Sequence, residues 1–392
     1  MASKSIYNLI EGELAALEEK SLLRGIPDVE NGAAKELLFS GRLLLNLASN
    51  DYLGLASDDG MKQAAIEAVK RYGCGAAASR LVTGNFSLYD QLEKSVAEFK
   101  GQDDAMLFSS GYAANLAIMD SFAGRHSIVF SDKLNHASIL DGIKMSGARH
   151  IRYRHNDVSL LKARMEAFKD AASKILVTDT IFSMDGDLAH IEEIADLCDF
   201  YDVMLVVDEA HAEGVFGRGR GLSYERKVAQ RVDLHMGAFS KSFGSLGGVV
   251  SGNRELISYL RNKGRSFVFT TALPPAVIGA NLAALELVKN NHVQGEKLLE
   301  LSAELKEFLV AADFDCADSQ SQILPVIVGE NDAALSAQRF LMNEGLYVAA
   351  IRPPTVPHGT ARLRLSLRAD FTKYDMDKIK KGFMNLKREL SQ

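Results

Sequence analysis

Cysteine is scarce in this chain: Cys74, Cys198 and Cys316 are the only three among 392 residues. Their odd number and wide spacing exclude a disulfide framework and a cysteine-based zinc site, and they fit a reducing compartment. No stretch approaches the roughly 18 consecutive apolar residues that a membrane span requires. The start, Met1-Ala-Ser-Lys-Ser-Ile, lacks the apolar core of a signal peptide. A cytoplasmic location is the expectation that follows. An excess of positive charge is missing too: 45 Lys and Arg against 51 Asp and Glu leave a net charge of −6. That balance argues against nucleic-acid binding through a broad basic surface. Low-complexity tracts and internal repeats are also absent, and 47% apolar with 24% charged residues is ordinary for a globular protein. The length suffices for two or three domains and a large core.

Apolar periodicity organises most of the chain. Residues 4–23 carry a helical spacing through Ile6, Leu9, Ile10, Leu14 and Leu17, and Gly25-Ile-Pro27 ends it. Leu43–Leu47 reads as a buried strand and Met61–Tyr72 as a helix. The small-residue run Gly73–Gly84 permits close backbone approach. From Leu88 onward helices and strands alternate, with strands at Ala105–Phe108, Ser127–Phe130, His150–Tyr153, Lys174–Thr178, Met204–Val207 and Asp233–Phe239. Short apolar strands alternating with helices predict an α/β domain built on a mostly parallel central sheet. After two helical stretches, a second alternation begins at Ile323–Val328, with further strands at Leu346–Ala350 and Arg362–Ser366. The expected organisation is an N-terminal helix and arm over 1–45, a large α/β domain over 46–285, and a smaller α+β C-terminal domain over 286–392.

The residues that carry chemistry fall at predicted strand ends. Val203-Met-Leu-Val-Val-Asp-Glu-Ala-His211 is an apolar strand that delivers Asp208 and then His211. Lys241 follows the apolar run Val232–Phe239 and precedes a small-residue segment ending in Gly247-Gly248. A lysine hemmed in this way is a candidate Schiff-base amine. Ser109-Ser-Gly-Tyr-Ala-Ala-Asn115 joins a strand to a helix, and helix N-terminal amides attract anions. The turn lacks the Gly-Lys-Ser/Thr of a phosphate-binding lysine loop. Asn135-His136 and Phe182-Ser183-Met-Asp-Gly-Asp187 sit at equivalent junctions. An acid for a ring nitrogen, a histidine, a lysine and an anion-binding helix end match the needs of pyridoxal phosphate. Further along, Arg352 lies in a proline-stiffened loop and is suited to a carboxylate, with a structural salt bridge as the alternative. Arg24, at the stop of the first helix, reads more readily as a helix-end charge than as a ligand. No metal site is expected.

These motifs resemble the α-oxoamine synthases, a family of fold-type I pyridoxal phosphate-dependent transferases, along nearly the whole chain. The resemblance rests on Ser49-Asn-Asp-Tyr-Leu-Gly54, Ser110-Gly-Tyr112, Asn135-His-Ala-Ser138, Phe182-Ser-Met-Asp-Gly186, Asp208-Glu-Ala-His211 and Ser240-Lys241. It implies that Lys241 bonds the cofactor, Asp208 pairs with its ring nitrogen, and His211 and Ser183 reach the ring oxygen. His136 would stack on the ring, Gly111 and Tyr112 would lie beside the cofactor, and Arg352 would bind an amino-acid carboxylate. Arg24, Asn50 and Thr355 would approach the substrates. The family is homodimeric, so Thr270 and Thr271 would serve the partner subunit's phosphate. The run Ile351–Arg364 resembles the member that joins L-alanine to a pimeloyl thioester, on coenzyme A or acyl carrier protein, in biotin biosynthesis. One departure is Ala238, where the family usually places a phosphate-binding threonine; Ser240, Ser242 or water would have to replace that hydroxyl. Sibling reactions with glycine or serine remain alternatives. So do a non-catalytic partner subunit and a carrier-protein binding module that uses the basic run Arg149–His155.

Overall fold

The computed structural model describes residues 4–390. The chain falls into two compact units, Met1–Ser49 with Met184–Gly186 and Leu301–Gln392, and Asn50–Ser183 with Asp187–Glu300.

The larger unit is built on a seven-stranded sheet. Across it the strands run Asp104–Phe108, Gly248–Gly252, Leu234–Ala238, Met204–Asp208, Lys174–Asp179, Ile128–Asp132 and Arg149–Tyr153. Gly248–Gly252 is antiparallel to both its neighbours, and the other pairings are parallel. Strands such as Ile128–Asp132 and Leu234–Ala238 are buried at every position, as expected where helices cover both faces of a parallel sheet. On one face Met106, Val129, Val206 and Leu234 pack against Ile118 and Ile143 of the helices Gly111–Phe122 and Ala137–Ser146. Those two helices approach closely at Gly142, where an added Cβ would lie 2.9 Å from the Met119 Cβ. The predicted alternation is therefore realised, with most element boundaries moved by one to three residues.

The small-residue run Gly73–Gly84 ends in one turn of π-helix, Arg80–Gly84. A Cβ on Gly84 would fall 2.3 Å from the Ala78 carbonyl, so the close approach read from composition occurs within the chain. The guanidinium of Arg80 lies over the Tyr89 ring at 4.1 Å and donates to Glu93 Oε2 at 2.9 Å. The basic run Arg149–His155 forms the sheet edge and the turn that leaves it. Its charges are engaged locally: Arg149 over Phe168, Arg152 to the Lys133 carbonyl, Arg154 to Asp157.

In the smaller unit, Glu36–Phe39, Arg42–Asn46 and Leu346–Tyr347 make one three-stranded sheet. Ile323–Gly329, Ala361–Ser366 and Ala349–Ile351 make a second, antiparallel one. The single strand expected over Leu346–Ala350 is thus two short strands in different sheets, separated at the fully buried Val348. Apolar content alone does not register such a switch. The helices Ser5–Glu19, Asn331–Asn343 and Lys373–Leu390 belong to this unit, as does the second half of Val293–Ala311.

Two charge clusters, one buried and one partly buried, fix the loops of the larger unit. Lys100, the last residue of the helix Ser87–Lys100, donates to Glu209 Oε2 at 3.1 Å and Glu213 Oε1 at 2.7 Å. All three are buried. Burial opposes ionisation of Glu209, but the Lys100 charge, the His235 ring and the Ser223 N–H together outweigh it and hold the carboxyl down at about 2, while burial pushes Glu213 up. A Cβ on Gly237 would lie 2.0 Å from Glu213 Oε2, so only glycine lets this carboxylate reach the strand. In the second cluster, His155 donates from Nδ1 to Asp132 Oδ1 at 3.0 Å and from Nε2 to Asp187 Oδ2 at 2.6 Å. It thereby ties the turn before Asn135-His136 to the end of the loop that carries Ser183. Burial disfavours its charge, yet the two carboxylates raise its pKa from 6.5 to about 10.

Lys100→Met leaves Glu209 buried without its counter-charge and is expected to cost about 3–5 kcal/mol in urea unfolding. Lys62→Met, which removes an exposed pair with Asp59, is expected to cost at most about 1 kcal/mol. Equal effects would contradict the role given to the cluster. For His155 the folded state holds a proton that the unfolded chain loses above about 6.5. Its stabilisation is thus complete below that pH and lost as pH rises through about 10. The difference in urea midpoint between wild type and His155→Gln should be largest near pH 6 and close by pH 10; a constant difference would rule the linkage out.

Candidate active site

Parallel pairing sends strand ends to one edge of the sheet. Ile128–Asp132, Lys174–Asp179, Met204–Asp208 and Leu234–Ala238 all finish there. Asp104–Phe108 runs the same way, because both it and Leu234–Ala238 are antiparallel to Gly248–Gly252. The connections that follow these strands carry Gly111 and Tyr112, His136, Ser183, His211 and Lys241. Ligand sites of open α/β sheets lie at this edge.

Asp208 is buried, with Oδ2 accepting from Asn115 Nδ2 at 2.9 Å and Oδ1 from the Ala210 N–H at 3.0 Å. His136 caps the helix Ala137–Ser146; its N–H donates to Asp179 Oδ2 at 2.7 Å, and its Nδ1 lies 2.7 Å from Ser138 Oγ. Tyr112 meets the His136 ring edge-on at 6.3 Å and donates its hydroxyl to Asp141. Partial burial lowers the His136 pKa; Asp208 opposes the shift and Lys241 adds to it. Asp179 is pushed well up, first by burial and then by the neighbouring charge of Asp208. His136, Asp179, Asp208 and Lys241 therefore lie within each other's electrostatic reach.

His211 Nδ1 lies 2.6 Å from the hydroxyl of the fully buried Tyr52, which also reaches Asn50 Oδ1 at 3.2 Å. Lys241 sits in the hairpin between the strands Leu234–Ala238 and Gly248–Gly252. The hairpin is closed by Phe239 N–H to Gly247 O and Ser245 N–H to Phe239 O, both at 2.9 Å. Ser110 caps the helix Gly111–Phe122 through its Oγ, and a Cβ on Gly111 would lie 3.6 Å from the Ala238 Cβ. The small side chain at Ala238 thus faces the helix N-terminus. Ser242 is buried against Gly214, and its Oγ has no partner among the described residues; Ser240 is exposed and open to a ligand. Thr270 and Thr271 line a small pocket with Ser109 and Arg80.

Arg24, Arg352 and Thr355 belong to the smaller unit, where the structure brings them together. Arg24 Nη2 reaches Thr355 Oγ1 at 3.4 Å, and Arg352 donates to the Ser21 carbonyl. Burial, then the nearby Arg24 charge, lowers the Arg352 pKa. Two guanidinium groups within electrostatic reach of each other are chemically suited to an anion.

Sequence reasoning gave no role to Tyr52, Asn115, Ser138 or Asp179. Three of them lie inside the motifs it singled out, but which side chain meets which is decided by helix phase and strand order. Asp179 ends a strand whose final residue looks like any turn acid.

The donor set suits pyridoxal phosphate: a buried acid for the ring nitrogen, a half-buried lysine, an imidazole and a capped helix N-terminus beside small side chains. Known proteins agree with that fit. The family model of class I and II aminotransferases matches residues 42–382. A Bacillus cereus protein provisionally named 8-amino-7-oxononanoate synthase is 45% identical over 369 residues, 94% of this chain and 93% of that one. The structure of a serine palmitoyltransferase from S. paucimobilis with pyridoxal phosphate and myriocin superposes with a TM-score of 0.94 at 29% identity, covering 100% of both chains. An 8-amino-7-oxononanoate synthase from Francisella tularensis gives 0.76 at 28% identity, covering 89% of this chain and 98% of that one. This chain belongs to the class I and II aminotransferase family, among its pyridoxal phosphate-dependent α-oxoamine synthases.

Proposed function

We propose that the protein condenses L-alanine with a pimeloyl thioester, carried on coenzyme A or acyl carrier protein. The products are 8-amino-7-oxononanoate, carbon dioxide and the free thiol carrier, a step of biotin biosynthesis. The observation that carries this reading is the 45% identity, spread over 94% of the chain, to relatives provisionally named for that activity. Backbone likeness to the serine palmitoyltransferases is high, at a TM-score of 0.94, and it favours a second reading: serine with a long acyl thioester. Siblings share a backbone, whereas substrate choice lies in side chains, so identity weighs more here.

Pyridoxal phosphate, when bound, supplies an electron-withdrawing ring that acidifies the α-proton of the amino acid. Asp208, kept as a pure acceptor by Asn115 and the Ala210 N–H, holds a proton at the ring nitrogen. His211, steadied by Tyr52, and Ser183 hold the ring oxygen, and His136 covers a ring face. Gly111, Tyr112 and Ser240 hold the phosphate end, with Thr270 and Thr271 of one protomer serving its partner in a homodimer. The amine of Lys241 takes the α-proton of alanine. A bond then forms between the alanine α-carbon and the thioester carbonyl carbon, and the thiol leaves with a proton. The carboxyl group departs as carbon dioxide, and a proton returns to the same carbon. Arg352, with Arg24 and Thr355 beside it, binds carboxylate, and Asn50 approaches the substrates. A cytoplasmic site of action is consistent with three free cysteines.

Steady-state assays pairing alanine, glycine and serine with pimeloyl, acetyl and palmitoyl thioesters test the assignment. Alanine with the pimeloyl thioester should give the highest kcat/KM by roughly tenfold or more. Lys241→Ala should abolish turnover of that pair. Fastest turnover of serine with the palmitoyl thioester would replace this reading with the second.

A further inference from the structure

A chain of hydrogen bonds links Asp208 to the ring of His136 through the side chains of Asn115 and Ser138. Asn115 Nδ2 donates both to Asp208 Oδ2 and to Ser138 Oγ, each at 2.9 Å. Ser138 Oγ lies 2.7 Å from His136 Nδ1. The Ser138 backbone N–H also points at Nδ1, at 3.3 Å. Asn115 and Ser138 are both buried, Ser138 completely.

The direction of each bond is set by the one before it. An ionised carboxylate only accepts, and Asp208 has one oxygen on the Ala210 N–H and the other on Asn115. The amide of Asn115 must therefore present its NH2 group, since its carbonyl oxygen would repel the carboxylate. That group has two hydrogens: one goes to Asp208 and the other to Ser138 Oγ. Having accepted from Asn115, the Ser138 hydroxyl still owns one hydrogen, and His136 Nδ1 is the acceptor in reach. A proton on Nδ1 would leave the buried hydroxyl hydrogen unmatched and would oppose the Ser138 N–H as well.

We propose that Asn115 and Ser138 are positioning residues that hold His136 as a neutral imidazole with its proton on Nε2. The ring then has an uncharged face and a single N–H donor, suited to a carboxylate or carbonyl oxygen of the substrate. It cannot act as a base through Nδ1, which leaves proton abstraction to Lys241. The titratable groups around the ring are the carboxyl groups of Asp208, Asp141 and Asp179 and the Lys241 amine, with the Tyr112 phenol at its edge. The use made of the donor rests on the condensation proposed above. The tautomer does not, because it is fixed by the chain itself.

The test is long-range ¹H–¹⁵N correlation on full-length, histidine-labelled protein at pH 8, both cofactor-loaded and cofactor-free. His136→Gln identifies the signals by difference. Wild type should show an unprotonated, pyridine-type Nδ1 and a protonated, pyrrole-type Nε2 in both states. Ser138→Ala, which deletes one buried oxygen, should shift both signals toward the average of the two tautomers. Asn115→Leu should do the same by a different route, and Ser138→Thr, which keeps the hydroxyl, should restore the wild-type pattern. A protonated Nδ1 in wild type would overturn the proposal, as would wild-type signals in both Ser138→Ala and Asn115→Leu. Failure of the substrate assays with the expected tautomer present would count against the reaction and not against this chain of bonds.

Discussion

The carboxylate of Asp208 is the constraint around which the larger unit is arranged. A buried charge is tolerated only when donors meet it, and here the donors come from the helix Gly111–Phe122 and from the turn that follows the strand itself. Asn115 therefore sets the phase of that helix, which in turn places Gly111 and Tyr112 at the sheet edge. The next residue, Glu209, enters a different environment. It leaves the strand end for the buried cluster with Lys100 and Glu213, and its backbone N–H still pairs with the Met236 carbonyl at 2.8 Å. Two consecutive acids thus do separate work, one at the site edge and one anchoring the loop that carries His211.

The same logic extends to neighbouring loops. His155 joins the turn before His136 to the end of the loop bearing Ser183, and Tyr52 meets His211 from a segment far away in sequence. None of these contacts is close-range in the chain, yet each fixes a side chain at the carboxyl edge. In the smaller unit Arg24 reaches Thr355 and Arg352 reaches the Ser21 carbonyl, contacts that likewise span most of the chain.

Much of this was legible in the sequence. Strands such as Met204–Asp208 announce themselves by continuous apolar residues, and an acid or histidine directly after such a run marks the functional edge. Lys241 was legible for a related reason, as a charge among small and apolar neighbours. The partners of these residues were not. Asn115 and Ser138 look like ordinary polar residues at helix starts, and their joint role depends on two helices packing at Gly142. The strand Glu36–Phe39 and the helix Arg254–Lys263 went unread, the first because it is four residues long and the second because charges dominate it. The division of Leu346–Ile351 between two sheets was hidden because strand propensity carries no information about partners. The substitution at Ala238 was visible, but its setting beside Gly111, and the buried Ser242 hydroxyl that has no partner among the described residues, needed the structure.

The central claim is that the carboxyl edge of this sheet holds pyridoxal phosphate through Lys241. Borohydride reduction of the cofactor-loaded protein, followed by proteolysis and mass spectrometry, reads that bond directly. One phosphopyridoxyl group per chain is expected, on the peptide containing Lys241. A label on another lysine, or no label after saturation with the cofactor, would contradict it.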